Sequence, residues 1–428
     1  FKKAGNKVVL IKPDYDKNGL PNTASLLNVY ERVTALLRSG KAVACYTPTL
    51  GGIAEAVMKM CFGNSLGFKF ADNLTANEIF GYCYGGFLLE VAEDIADTAE
   101  IGKITADGKI SYNGEEIKLE NLLGIYENKL ESVYRCNKEN PKTEMQTFSY
   151  KAETCVAPAV KTAKPKVLIP VFPGTNCEYD SAKAMRDAGA EPEIFVINNR
   201  SAENVAKSVE DFANSLKTAQ MVFIPGGFSG GDEPDGSGKF ITAFFRNAAV
   251  KEQVTDLLDN RDGLMCGICN GFQALIKLGL VPYGKIIDTD ESCPTLTYNT
   301  IARHQSKIVR TRIASNKSPW LTDTEVGDIY SVPISHGEGR FIASDELIHR
   351  LAENGQIATQ YVDEKGQATS DIHFNPNGSY YAIEGITSPD GRVFGKMGHS
   401  ERYAADLYKN VPGNYDIKMF RSAVDYFK

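Results

Sequence analysis

The stretch "GLMCGICNGFQALIKLGL" (263–280) holds two cysteines, Cys266 and Cys269, between an apolar run and a helical pattern. Such a pair can be a dithiol, half of a metal site, or a buried thiol beside a reactive one. Cys269 stands between Gly267 and Gly271, in the pattern Gly-x-Cys-x-Gly. Glycines at those positions permit a strained strand-to-helix turn that exposes the central side chain above a sheet. Helix N-terminal amides there favour the thiolate. The Asn270 N–H would then face an oxyanion, and "PGGFSGGDE" (225–233) offers a second amide at Gly227 or Phe228. Two such donors are what a tetrahedral acyl intermediate needs. A redox protein would instead require Cys266 and Cys269 to form a reversible disulfide. A metal site lacks a second Cys-x-x-Cys or a His pair for its remaining ligands, so no metal is expected. On the elbow reading, Cys266 is a small buried residue.

A cysteine nucleophile needs a base, and the chain has five histidines. His349, in "DELIHRLAE", reads as a surface position on a helix, and His373 as a strand or loop residue. His399, in "FGKMGHSERYA", falls between a strand and a helix, with Glu401 two residues on. That spacing can bring both side chains to one side of a turn, where the carboxylate orients the imidazole and stabilises its protonated form. His336, in "PISHGEGRF", is the second candidate, on a Gly-flanked loop suited to ligand contact or catalysis.

The elements that must position these residues follow from the chain's patterning. At 428 residues, two domains or more are expected. Hydrophobic content of 43% and charged content of 24% are those of a soluble globular protein. A net charge of -7 argues against nucleic acid as the main partner. No apolar run approaches the roughly 20 residues of a membrane span. The start, "FKKAGNKVVLIKP", lacks a signal-peptide run and does not begin with Met, which suggests a fragment or processed chain. Nine scattered cysteines, an odd number, fit a reduced, cytoplasmic setting.

A linker is expected over 151–165, within the Pro/Lys/Thr/Ala-rich stretch 146–166. Before it, residues 1–150 mix helices and strands. "SLLNVYERVTALLRSG" has helical spacing, "KAVACYTP" and "GGFLLEVAED" read as strands, and "DGKISYNGEEIKL" as a hairpin turning at Asn113-Gly114. From 166 to 428 the grammar becomes strand, turn, helix, repeated. "KVLIPVF", "EPEIFVI", "MVFIPGG" and "GLMCGI" are strands, and "SGKFITAFFRNAAVKEQVTDLLDN" reads as one long helix. This alternation calls for a parallel sheet covered on both faces, with ligands beyond the strands' carboxyl ends. Three Gly-rich turns fall there: "PGTNCE", "PGGFSGGDE" and "GICNG". Beyond about residue 295, "KIVRTRI", "YYAIEGI" and "RVFGKM" read as alternating strands.

"GICNGFQALIKLGL", "IPGGFSGGDE", "ISHGEGRF", "GHSER" and "FPGTNCEYDSAKAM" together resemble the glutaminase domain of phosphoribosylformylglycinamidine synthases, class I (triad-type) glutamine amidotransferases of purine biosynthesis. The resemblance covers about 165–428. It implies a flavodoxin-like α/β glutaminase domain, with Cys269 as nucleophile, His399 as base and Glu401 as the orienting acid. Gln273 and the 226–229 loop, with Gly227 and Phe228, would hold glutamine or the oxyanion. His336, from its Gly-flanked position rather than from the resemblance, is the candidate for ligand contact or for coupling the site to its partner. Residues 1–150 resemble the C-terminal half of the family's synthetase module, an α+β fold. There "LGGIAEAVMKM" matches a Gly-Gly helix start whose amides could face a phosphate, although "TPTLGG" replaces the usual Ser-Asp before the glycines. The implied partner is an N-terminal synthetase region, which would use ATP and magnesium; the glutaminase reaction itself would need no cofactor. Where the family usually reads Met-Pro-His-Pro-Glu-Arg, this chain has Met397-Gly398-His399-Ser400-Glu401-Arg402. Both triad side chains remain, and a less rigid turn is expected. The rival readings are another Cys-elbow α/β hydrolase of peptidase type, the redox protein above, and an inactive binding domain.

Overall fold

The computed structural model describes residues 1–136, 145–154, 156–228, 237–408 and 411–428. Two compact units divide between Cys136 and Asn137, ahead of the boundary expected at 150. The physical reason is Phe148, which is buried in the second unit's core with its N–H on Gln360 Oε1 at 2.8 Å. Tyr150 N–H likewise donates to Ala314 O at 2.8 Å, and Thr162 N–H to Phe427 O at 2.7 Å. Much of the stretch with linker composition is thus laid along the second unit.

In the first unit a seven-stranded sheet has successive residues facing opposite sides, as the two-residue strand period requires. Val8 and Leu10 pack with helix Gly52–Phe62. Val9 and Ile11 pack with helix Thr23–Arg38, through Val29 and Val33. The expected hairpin joins strands Lys109–Tyr112 and Glu115–Lys118. Its turn residues Asn113 and Gly114 both have positive φ, 48° and 86°, as a tight two-residue turn demands.

The second unit is built on a nine-stranded sheet. Five of its strands are parallel: Lys166–Val171, Glu191–Val196, Met221–Ile224, Leu264–Ile268 and Val393–Lys396. Numbered along the chain, they lie in the order 2-1-3-4-5, that of flavodoxin-like sheets. Four antiparallel strands continue the sheet beyond the fifth: Ile383–Thr387, Ile357–Tyr361, Gln305–Ile313 and Ile329–His336. Strands Ile383–Thr387 and Val393–Lys396 are buried at every residue rather than alternating, because both lie inside the sheet. The long helix expected after residue 237 is two, Lys239–Phe245 and Ala248–Asp259. Asn247 separates them: its backbone leaves the helical region and its Oδ1 accepts from Ala249 N–H at 3.1 Å, capping the second helix.

The sheet order reverses between the first and third parallel strands, which opens a crevice at their carboxyl ends. The turns beginning at Pro173, Pro225 and Cys269 all emerge from that end of the sheet.

Candidate active site

Strand Leu264–Ile268 is buried throughout and ends at Cys269, and helix Asn270–Leu278 begins at the next residue. Cys269 has φ 54° and ψ −106°, a backbone conformation that side chains disfavour. Its flanking glycines are required by packing. A Cβ on Gly267 would meet Gly271 O at 2.6 Å, and one on Gly271 would meet Ile224 O at 2.1 Å. The turn is pinned to the neighbouring strand, where Cys269 N–H donates to Lys396 O at 2.9 Å. Cys269 Sγ lies 3.8 Å from Ser335 O. The elbow read from the sequence is present.

Strand Val393–Lys396 runs parallel to the cysteine strand, with Lys396 opposite Ile268. The turn that follows it therefore reaches the same end of the sheet, and it carries His399 and Glu401. Glu401 Oε1 lies 2.6 Å from His399 Nδ1, both side chains being buried. Burial opposes charge on the ring. The Glu401 carboxylate, with the neighbouring Cys177 and Cys269 sulfurs, outweighs it, and the His399 pKa rises well above the usual histidine value. Burial pushes Glu401 upward, but His399 holds it below the usual carboxylate value. Among the described residues, nothing hydrogen-bonds His399 Nε2.

Gly226, at the end of the third strand, is the floor between these groups. A Cβ there would come within 2.7 Å of His399 Cε1, 3.4 Å of Cys269 Cβ and 3.5 Å of Cys177 Sγ. Cysteine and imidazole thus flank one glycine. Cys177 was not singled out in the sequence, although its turn, "PGTNCE", was. Its Sγ lies 3.9 Å from His399 Nδ1 and accepts from Arg402 Nη2 at 3.0 Å. Cys177, His399 and Glu401 bring ligand atoms within 4.8 Å of one another. The Arg402 cation against the sulfur and the carboxylate on Nδ1 make this a charge network rather than a cation cage.

A cavity of about 470 Å³ opens over Cys269. Its wall includes Gly227, Phe228, Ser237, Gln273, Tyr298, Arg303, His304, His336 and Glu338. Phe228 N–H is committed to Gly174 O at 2.9 Å, which removes it as an oxyanion donor and leaves Gly227 of the two amides considered. The exposed Phe228 ring lies beside His304, with ring centroids 6.3 Å apart. Ser229 and the rest of "SGGDE" fall outside the described residues. Gln273 Nε2 donates to Glu338 O at 2.7 Å, and its Oε1 accepts from Asn270 Nδ2 at 3.1 Å. Gln273 therefore braces the start of strand Glu338–Ile342 as well as lining the cavity. Glu338 in turn accepts from Ser237 Oγ at 2.6 Å.

His336 is buried, and its Nδ1 lies 3.2 Å from Asn299 Oδ1. Burial, with the charge of His399 nearby, lowers its pKa to about 3. A ring that neutral at ordinary pH offers a hydrogen bond rather than a charge, and its Nε2 is unpartnered among the described residues. His349 is exposed on helix Asp345–Glu353. His373 sits on the surface, its Nδ1 2.8 Å from Asp371.

Cys266 does not face Cys269's cavity. It is fully buried in the strand core, and burial pushes its thiol well above the usual range. A redox dithiol needs an accessible, acidified thiol, so this surrounding disfavours the redox reading.

In the first unit, helix Gly52–Phe62 does begin at the Gly-Gly pair. Where these amides could have faced a phosphate, the chain's own carboxylate sits instead. Glu55 Oε2 accepts from Gly51 N–H at 2.9 Å and Thr49 Oγ1 at 2.7 Å, while Oε1 holds Lys59 at 2.5 Å. Lys59, Thr49 and the Gly51 amide together lower the Glu55 pKa to about 2.

A family model described as the CobB/CobQ-like glutamine amidotransferase domain matches residues 164–427. The phosphoribosylformylglycinamidine synthase subunit PurQ of Methanococcus maripaludis is 34% identical over 284 residues, covering 61% of this chain and 97% of that protein. The protein of that name from Aquifex aeolicus is 32% identical over 250 residues, covering 58% of this chain and 95% of its own length. Among solved structures, a chain of PurLQS from Thermotoga maritima is similar at 26% identity and TM-score 0.45, covering 62% of this chain and 100% of that one.

Proposed function

The chain belongs to the CobB/CobQ-like glutamine amidotransferase family, enzymes that use glutamine as amido donor, and from that premise we propose that Cys269, His399 and Glu401 are its glutaminase triad. Cys269 attacks the side-chain amide carbon of glutamine. His399 takes the thiol proton and delivers it to the departing ammonia. Water, deprotonated by the same ring, then releases glutamate from the thioester. Glu401 orients the ring and stabilises its charged form. The Asn270 and Gly227 amides receive the oxyanion. The Phe228 ring, Gln273 and the neutral His336 shape the glutamine cavity. The hydrolytic half-reaction takes no cofactor.

The observation that carries this reading is the strained backbone of Cys269 beside a buried His399–Glu401 pair, both against Gly226. The finer role draws on the relatives named phosphoribosylformylglycinamidine synthase subunit PurQ. Ammonia released at Cys269 passes to a synthetase region. With ATP and magnesium, that region converts formylglycinamide ribonucleotide to the amidine, a step of purine biosynthesis. Residues 1–136 are then a synthetase-derived unit.

Covalent labelling with an electrophilic glutamine analogue, followed by peptide mapping, tests the site. Modification of Cys269, with glutamine turnover and no peptide turnover, supports the triad. Modification of Cys177 instead, or peptide turnover alone, overturns it in favour of a different nucleophile or a peptidase.

A further inference from the structure

Behind the turn that carries His399 lies an ion pair with no exposure to solvent. Lys396 Nζ is 3.3 Å from Glu384 Oε1, and both side chains are 0% exposed. Moving two charges out of water costs several kcal/mol per ion, and apolar residues of similar volume often serve stability as well or better. Stability is therefore a weak reason for this pair, and its hydrogen bonds supply a stronger one.

All but one of those bonds go to the residues flanking His399. Lys396 Nζ donates to Gly398 O at 2.9 Å and to Ser400 Oγ at 3.0 Å. Glu384 Oε1 accepts from Gly398 N–H at 2.6 Å, while Oε2 accepts from Thr359 Oγ1 on the next strand. Both polar groups of the Gly398 backbone are thus held by the pair. The N–H bond is one a proline could not make. A side chain at 398 would also crowd Val332 and Glu384, at 2.8 and 3.0 Å from a Cβ. Contrary to the expectation of a looser turn, the turn without prolines is braced. Lys396 also accepts the Cys269 N–H on its carbonyl, so one residue touches both the nucleophile's backbone and the base's turn.

We propose that the Lys396–Glu384 pair is a positioning device that sets His399 against Cys269. It rests on the triad reading above. The brace fixes the path of 398–400 from inside the sheet, so that the imidazole's place does not depend on its single carboxylate partner.

The test compares the wild-type chain, Lys396→Met, and the charge-free double variant Lys396→Met/Glu384→Gln. Glutamine hydrolysis, the pH midpoint for alkylation of Cys269 by iodoacetamide, and Tm are read for each. Lys396→Met leaves a carboxylate buried without its cation and is expected to lose Tm. The double variant removes that carboxylate's charge and should recover Tm. Its kcat should stay down by about 30-fold, with KM within about threefold. Its alkylation midpoint should rise by about half a unit or more, because a displaced imidazolium stabilises the thiolate less. A double variant with wild-type kcat and a wild-type alkylation midpoint overturns the proposal and leaves the pair purely structural. If the wild-type chain hydrolyses no glutamine, the triad reading fails, and the shift of the alkylation midpoint still decides the positioning role.

Discussion

Glu401 Oε1 sits 2.6 Å from His399 Nδ1, with neither side chain exposed to solvent. An ionised carboxylate can only accept, so the contact places a proton on Nδ1, and Nε2 has no hydrogen-bond partner among the described residues. In the charged form of the pair, the raised His399 and the lowered Glu401 support each other.

This linkage predicts a pH window in stability. A histidine whose native pKa is raised contributes fully below its ordinary value of 6.5, and loses the contribution as pH rises through the native value. A carboxylate whose native pKa is lowered contributes fully above its ordinary value of 4.5, and loses the contribution as pH falls through the native value. Both contributions are complete between those two ordinary values. The Tm gap between the wild-type chain and Glu401→Gln should therefore be wider at about pH 5.5 than at about pH 9. A gap that widens at the alkaline end reverses the assignment of charge.

Cys269→Ser should lower glutamine turnover by about a thousandfold or more while leaving Tm nearly unchanged, since serine lacks an easily formed anion. Cys266→Ala should do the opposite, costing about 1 kcal/mol of stability from the packed strand and little activity. Cys177→Ala should keep turnover within about tenfold, because Cys177 begins a helix without a strained elbow. Turnover assays beside thermal melts separate the three cysteines.

On the proposed triad, His399→Asn should match the loss at Cys269, because a base and its nucleophile act as a unit. Glu401→Gln should be milder, at about a hundredfold, since the proton acceptor survives. His336→Asn should mainly raise KM for glutamine, as expected of a neutral wall residue. Total loss at His336 with survival at His399 would exchange their roles.

The residues that were legible in the sequence are those whose chemistry depends on local spacing. Gly267, Cys269 and Gly271 announce a strained turn within five residues, and His399 with Glu401 announces a carboxylate-paired imidazole within three. The five parallel strands are legible in part: Lys166–Val171 as a continuous apolar run and three more as strands between helical patterns, whereas "RVFGKM" reads as an alternating strand although Val393–Lys396 is buried throughout. Lys396 reads as a surface charge until Glu384, twelve residues earlier, is placed beside it by strand pairing. Cys177 approaches His399 from 222 residues away, a distance over which no periodicity carries information. Residues 146–166 have a linker's composition, but one aromatic side chain, Phe148, anchors the start of that stretch in the second unit's core.

The last expectation concerns the first unit. Residues 1–136 and the glutaminase unit together should form no amidine from formylglycinamide ribonucleotide, even with ATP, magnesium and free ammonia. Phosphate binding at a helix start needs free amides and a site without competing negative charge. At Gly52–Phe62 the Gly51 amide is already taken by Glu55, whose carboxylate stays ionised because Lys59, Thr49 and that amide hold its pKa down to about 2. An incoming phosphate would meet this anion before it met the helix. Glutamine hydrolysis should persist under the same conditions, because none of its residues lie in that unit. Following ATP consumption and amidine formation with ammonia as nitrogen donor decides the matter. Amidine made by this chain alone would place a working nucleotide site in the first unit, and Glu55→Gln would then be expected to weaken rather than strengthen it.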